Sequence, residues 1–304
     1  MKYYLDNLVK SNKKYTIDGK VATYIPELAV ANSEHLGICI SDGKEMVCSG
    51  DYNVKFTIQS VSKSVVLILA LMDQGEEVVF EKVGKEPSGD PFNSIIRLET
   101  YKKQKPYNPM INAGAIAIAS LIKGETVEVR VSRIVNFIRA IAHNTEIEVN
   151  NAVYQSEKES GHRNRSIAHF LKGIGNVEGN PDEVLEVYFN QCAIEVDCND
   201  LANIAMVLAL DGKSHITGET LFPARYAKIA KSYMMTCGMY DGSGEFAIRV
   251  GIPAKSGVGG GILAVVPNRY GIGVFGPALN EKGNSIAGLK MLEELSEKYD
   301  FNIF

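Results

Sequence analysis

No stretch of this sequence stays apolar for long. The longest run, Val65 to Met72, falls well short of the roughly 20 residues that a membrane-spanning helix requires. The N-terminal MKYYLDNLVKSNKKY alternates charge with apolar residues and has neither the apolar core nor the cleavage site of a signal peptide. The expectations are no membrane partner and a cytoplasmic location. Basic clusters are missing too. The formal charge is -4 and no lysine or arginine run is long enough to track a phosphate backbone, so nucleic acid is not an expected partner and a small molecule is the default ligand. Cysteine is scarce: the five present (Cys39, Cys48, Cys192, Cys198, Cys237) are odd in number and scattered, with no CxxC pair. That pattern predicts buried free thiols in a reducing compartment. The five histidines show no HExxH or other metal-ligand spacing, and no GxxxxGKS or GxxxxGKT phosphate loop occurs, so neither a metal nor another cofactor is expected.

What remains is an ordinary globular composition, 45% hydrophobic and 22% charged over 304 residues, enough chain to bury a large core in one domain or two lobes. Sheet-forming runs lie at both ends. Near the start, LGICISDGKEMVCSG places β-rich segments on either side of Asp42-Gly43, a strong hairpin signal. Near the end, EFAIRVGIPAKSG and GILAVVPNRYGIGVFG, with a turn at Pro267-Asn268, predict three further strands. NSIAGLKMLEELSEKYD then carries Ile286, Leu289, Leu292 and Leu295 at helical spacing behind an Asn/Ser cap. The middle is helical. VEVRVSRIVNFIRAIAHN sets Val127, Val131, Ile134, Val135, Ile138 and Ile141 on one face, and NDLANIAMVLALDG begins at an Asn cap and stops at Gly212. The predicted fold is therefore α/β (α+β): an antiparallel sheet built from both chain ends, residues 1–56 plus 238–304, with an all-helical lobe over residues 57–237 inserted between them. The two form one functional unit with its site in the cleft.

One stretch poses a chemical question. FTIQSVSKSVVLILALMDQG, from Phe56 to Gly75, gathers three serines and a lysine ahead of the apolar run. The spacing S-x-x-K alone says little, since it occurs four times, at Ser11/Lys14, Ser41/Lys44, Ser60/Lys63 and Ser120/Lys123. Three have ordinary settings: a charged helix, a hairpin turn and a helix end. Only Ser60/Lys63 stands at the first turn of a helix that is apolar on nearly every face and hence buried. Residues i and i+3 share a helix face, so hydroxyl and amine can meet there. Burial and the positive end of the helix dipole both disfavour the charged lysine, and a neutral amine is what a general base must be to take a serine proton. The same residues also suit a serine cap followed by a lysine that reaches out to solvent; this stretch alone leaves both open. Lys255-Ser256-Gly257, which opens into Gly259 to Gly261, favours the first. In penicillin-recognising serine enzymes an S-x-x-K pairs with a downstream K-T-G strand beside the nucleophile. The glycines let the N–H groups of Val258 and Ser60 face a developing oxyanion, where one donor contributes about 3 to 4 kcal/mol.

Six blocks in order, FTIQSVSKS, KPYNPMINAGAIA, QSEKESGHRN, VYFNQCAIEV, MYDGSGEFA and AKSGVGGGI, resemble the signature blocks of the bacterial serine-dependent glutaminases. The resemblance runs from about Ile17, through GKVATYIPELA, to about Asn280. It implies a β-lactamase/penicillin-binding-like fold, a homo-oligomer that is a tetramer in many relatives, and hydrolysis of L-glutamine to L-glutamate and ammonia. By motif match it implies Ser60 as nucleophile, Lys63 as base, Tyr240 as the tyrosine near the serine and Tyr24 as a second tyrosine at the pocket. Val258 matches the backbone oxyanion and substrate position, and Asn112, Glu157, Asn164 and Tyr188 match substrate contacts.

Free glutamine carries an ammonium and a carboxylate, and both must be held if its side-chain amide is to reach Ser60. A carboxylate such as Glu157 can pair with the ammonium, while asparagine amides and a tyrosine hydroxyl can donate to the carboxylate. Ammonia leaves poorly unless protonated, so a general acid is required, for which Tyr240 and protonated Lys63 are the candidates. Two other functions fit parts of the pattern. A penicillin-interacting or β-lactamase-like serine hydrolase would use the same pair, but no export signal accompanies it. A non-catalytic amino-acid-binding module would need neither nucleophile nor base.

Overall fold

The computed structural model describes residues 1–89, 93–94 and 105–304. In chain order the elements are α1 (Lys2–Asn12), β1 (Gly37–Ser41), β2 (Met46–Gly50), β3 (Phe56–Thr57), α2 (Ser62–Lys82), α3 (Asn112–Ala119), α4 (Val127–Ala142), α5 (Asn151–Ser160), α6 (His162–Gly173), α7 (Pro181–Cys192), β4 (Glu195–Val196), α8 (Cys198–Ala209), α9 (Ala224–Cys237), α10 (Ser243–Arg249), β5 (Ala254–Ser256), β6 (Gly261–Val266), β7 (Tyr270–Phe275) and α11 (Ile286–Tyr299).

The hairpin at Asp42-Gly43 forms from β1 and β2. Asp42 Oδ1 accepts the N–H groups of Lys44 and Glu45, each at 2.8 Å, the turn role to which aspartate is suited. β1 also pairs antiparallel with β7, Gly37 opposite Phe275. That pairing ties the two chain ends into one five-stranded antiparallel sheet of order β2-β1-β7-β6-β5. Every residue of β1 and β6 is buried because helices cover both faces. On one face Ile38, Ile40, Ile272 and Val274 pack with Leu5 and Leu8 of α1 and Leu292 of α11. On the other, Leu263, Val265 and Phe275 join Leu201 and Ala205 of α8. α8 sits very close: a Cβ on Gly271 of β7 would lie 2.2 Å from the Met206 backbone nitrogen, so only a residue without a side chain fits there. No helix among the described residues is long and apolar enough to cross a membrane.

Several expectations are corrected. Cys39 and Cys48 are not free thiols: they face each other in the β1–β2 register, with Cα atoms 4.1 Å apart, and are joined as a disulfide. Hairpin register, not sequence spacing, brings them together, and the odd count no longer argues for a reducing compartment. Cys192, Cys198 and Cys237 are free. The segment EFAIRV is not part of a strand. Phe246 and Val250 are buried while Ile248 is 82% exposed, a spacing of four that places the stretch in α10, and the strand begins only at Ala254. α8 is capped by Asp197, in a reciprocal capping box with Asp200, rather than by Asn199. In α4, Ile134, Val135, Ile138 and Ile141 are core residues, whereas Val127 and Val131 are only half-buried.

Candidate active site

β3 runs into a single 3-10 turn, Gln59–Val61, before α2 begins at Ser62. The turn is entered through Gln59 at φ 47°, a left-handed conformation that costs a non-glycine residue about 1 to 3 kcal/mol and collects at functional sites. The three serines then separate. Ser62 Oγ donates to the Gln59 carbonyl at 2.7 Å and Ser64 Oγ to the Val61 carbonyl at 2.9 Å, each closing on backbone three residues back. Ser60 instead lies beside the Tyr240 hydroxyl, close enough to draw that tyrosine's pKa down. Lys63 does not reach out to solvent. It is 1% exposed, and its Nζ donates inward to the Met110 carbonyl at 3.2 Å and to Asn112 Oδ1 at 2.7 Å. Burial lowers its pKa to about 8, against the opposing pull of Cys192 and Glu157.

Seven of the nine expected residues line one cavity of about 90 Å³: Tyr24, Ser60, Asn112, Glu157, Asn164, Tyr188 and Val258. Lys63 and Tyr240 are not on its wall: Lys63 joins it through Asn112, and Tyr240 lies beside Ser60. Asn112 is the first residue of α3, not its cap, which is Ile111. Its Nδ2 donates to Asn164 Oδ1 at 3.0 Å, so α2, α3 and α6 converge on one amide. Glu157, on α5, is 5% exposed and accepts Gln59 Nε2 at 2.8 Å. Burial lifts its pKa to about 7, against the Gln59 bond and the Lys63 charge. Tyr188 on α7 is buried, and its hydroxyl pKa is pushed well up, by burial first and then by Cys192 and Glu157. Tyr24 is 56% exposed as a residue; its hydroxyl end nonetheless lies among Tyr240, Glu157 and Cys192, where burial pushes its pKa up. Tyr240 takes φ 53°, and burial raises its hydroxyl pKa against the downward pull of nearby Ser60.

The glycine-rich loop after β5 lies directly on the β3 exit. A Cβ on Gly257 would stand 2.8 Å from the Ile58 carbonyl oxygen, which explains the glycine and brings the neighbouring Val258 beside Ser60. Among the described residues, the Val258 N–H has no acceptor. The lysine of the K-S-G triplet is not on the cavity wall: Lys255 is 0% exposed and its Nζ lies over the Tyr240 ring. Sequence reasoning missed Gln59, Arg163 and Cys192 as wall residues. Gln59 is adjacent to Ser60 and Cys192 follows Tyr188 by one helical turn, signals that could have found both. A cavity of about 270 Å³ between α10 and α11 contains none of the expected residues, whereas one of about 520 Å³ has Tyr24 and Val258 on its lining. Among the described residues no group of three or more His, Cys, Asp or Glu is placed to hold a metal ion.

The sequence matches the family model Glutaminase over residues 19–304. A glutaminase of Clostridium tetani (strain Massachusetts / E88) is 56% identical over 306 aligned residues that cover 100% of each chain. The crystal structure of a Bacillus glutaminase superposes with a TM-score of 0.93 at 40% identity, covering 100% of this chain and 99% of that one. The covalent complex of a Bacillus subtilis glutaminase with 5-oxo-L-norleucine, formed by reaction with 6-diazo-5-oxo-L-norleucine, does so with a TM-score of 0.92 at 38% identity and the same coverage. The mixed architecture around an antiparallel sheet is accordingly the β-lactamase-like fold. Matched by the family model from residue 19 to its last residue, and identical at more than half of its positions to a full-length relative, this chain belongs to the glutaminase family.

Proposed function

We propose that this chain hydrolyses L-glutamine to L-glutamate and ammonia through an acyl-enzyme on Ser60, with Lys63 as the general base. The observation that carries this is the shared cavity: a serine at the head of a buried helix opens on the same small space as Glu157, Asn164 and Tyr188. These groups suit the two charged ends of free glutamine. Ionised Glu157 pairs with the substrate ammonium, and the Asn164 amide and Tyr188 hydroxyl donate to its carboxylate. The side-chain amide is then left facing Ser60.

Lys63, the second residue of α2 and held by Asn112, takes the Ser60 proton as the oxygen attacks the amide carbon. The lowered pKa supports this role, because about a tenth of the amine is neutral at pH 7, against less than about a thousandth for an ordinary lysine. The oxyanion is met by the backbone N–H groups of Ser60 and Val258, the latter having no acceptor among the described residues. Tyr240 or protonated Lys63 hands a proton to the departing nitrogen. Water then attacks the γ-glutamyl ester, with the same groups returning the proton to Ser60. Tyr24, more than half exposed yet on the cavity lining, closes the outer side of the site.

The same proposal includes a homotetramer in the cytoplasm, needing no metal or other cofactor, with the site between a sheet lobe (1–56 plus 238–304) and a helical lobe (57–237). The test is coupled detection of glutamate from L-glutamine, D-glutamine and L-asparagine, alongside Ser60→Ala. L-Glutamine should be turned over and the variant should be inactive yet folded. Full activity in Ser60→Ala, or rapid hydrolysis of a chromogenic β-lactam with none of glutamine, would overturn it.

A further inference from the structure

Lys255 on β5 is wholly buried, and three groups surround its Nζ. The Gly238 carbonyl accepts at 3.0 Å, the Ser256 carbonyl at 2.6 Å, and the face of the Tyr240 ring lies 4.4 Å away, measured to its centroid. The two carbonyls accept two of its N–H donors and the ring face covers the remaining side, while burial, and then the Lys63 charge, push its pKa well below the usual lysine value. Because Lys255 does not reach the cavity wall, its chemistry has to pass through what it touches.

What it touches is Tyr240 and the backbone that aims it. A tyrosine at φ 53° persists only where its surroundings over-determine it. Here the Gly238 carbonyl takes Lys255 Nζ and, at 3.1 Å, the Ser256 N–H. Ser243 Oγ accepts the Met239 N–H at 3.1 Å and donates to the Tyr240 carbonyl at 2.9 Å, and Asn284 Nδ2 donates to the Met239 carbonyl at 3.1 Å. Lys255 adds to this clamp the contact with the ring itself, whose hydroxyl lies beside Ser60.

We propose that Lys255 is a positioning residue, which holds the Tyr240 turn and ring so that the phenol hydroxyl meets Ser60, and which influences turnover only through Tyr240. The proposal rests on Ser60 and Tyr240 being reacting groups, as argued above. Steady-state kinetics of the full chain for wild type, Lys255→Met, Tyr240→Phe and the double variant test it. Lys255→Met should lower kcat for L-glutamine at least about 10-fold with KM changed less than about 2-fold, and should cost less than about 2-fold when added to Tyr240→Phe. An equal loss in both backgrounds, a loss carried by KM, or an unchanged kcat overturns the proposal. Should Lys255→Met fail to fold by circular dichroism, Lys255→Gln, which keeps a donor for the carbonyls, takes its place. Failure of both to fold overturns it in favour of a purely structural lysine. If Tyr240→Phe itself leaves kcat unchanged, or the wild type yields no glutamate, the underlying reading of the site has failed and this proposal falls with it.

Discussion

Replacing Lys63 with methionine separates the lysine's chemistry from its effect on stability. Burial pulls its pKa from 10.5 to about 8, and at about 1.4 kcal/mol per unit the ammonium costs the fold about 3 kcal/mol near neutral pH. The folded-state pKa lies below the unfolded one. Stability from this group is therefore fully present above 10.5, falls as pH drops, and reaches its floor below about 8. Methionine keeps the volume and does not titrate, but it leaves the Met110 carbonyl and Asn112 Oδ1 without this donor, a loss of about 1 to 3 kcal/mol. The two effects nearly cancel at about pH 7, and the second dominates at about pH 10. Urea unfolding of both proteins at the two pH values is the assay. The stability of wild type relative to Lys63→Met should rise by about 2 kcal/mol from the lower to the higher pH. Ammonia release from glutamine should fall about 100- to 10,000-fold in the variant at both. A stability gap independent of pH would refute the buried, pKa-lowered lysine, and an active variant would refute its role as base.

Glu157→Gln should raise KM for L-glutamine at least about 10-fold while changing kcat less, because the charge for the substrate ammonium is lost. With Glu157 titrating at about 7, wild-type kcat/KM should fall as pH drops below that value, since the protonated acid no longer pairs with the ammonium. That part of the acid limb should disappear in Glu157→Gln, and its persistence would count against the assignment. Gly271→Ala should destabilise the fold by about 1 to 3 kcal/mol or more, because the new Cβ meets α8 backbone rather than a movable side chain; an unchanged melting temperature would show that α8 can retreat.

The sheet from two chain ends was legible because the Asp42 turn and the Pro267-Asn268 turn are local chemistry, and the glycines after Lys255 carry backbone requirements that survive in any context. The α10 helix was not, because Phe246, Ile248 and Val250 alternate as a half-buried strand would, and only packing shows Ile248 facing solvent. The Cys39–Cys48 pairing depends on strand register, which spacing does not encode. Within the site, Ser60 was distinguishable from Ser62 and Ser64 only through its spacing to Lys63; the structure adds that the other two close on the backbone. The inward turn of Lys255 beneath Tyr240 was hidden, since a lysine on a short strand reads as a surface residue until the chain that covers it is placed.

The central claim, that Ser60 is the nucleophile, is tested most directly by peptide mapping after reaction with 6-diazo-5-oxo-L-norleucine, whose diazoketone on the glutamine skeleton loses dinitrogen as it alkylates a nucleophilic oxygen. The account predicts a single adduct on Ser60, protected by excess L-glutamine and absent from Ser60→Ala. Label on any other residue, or undiminished labelling of the Ser60→Ala variant, would contradict it.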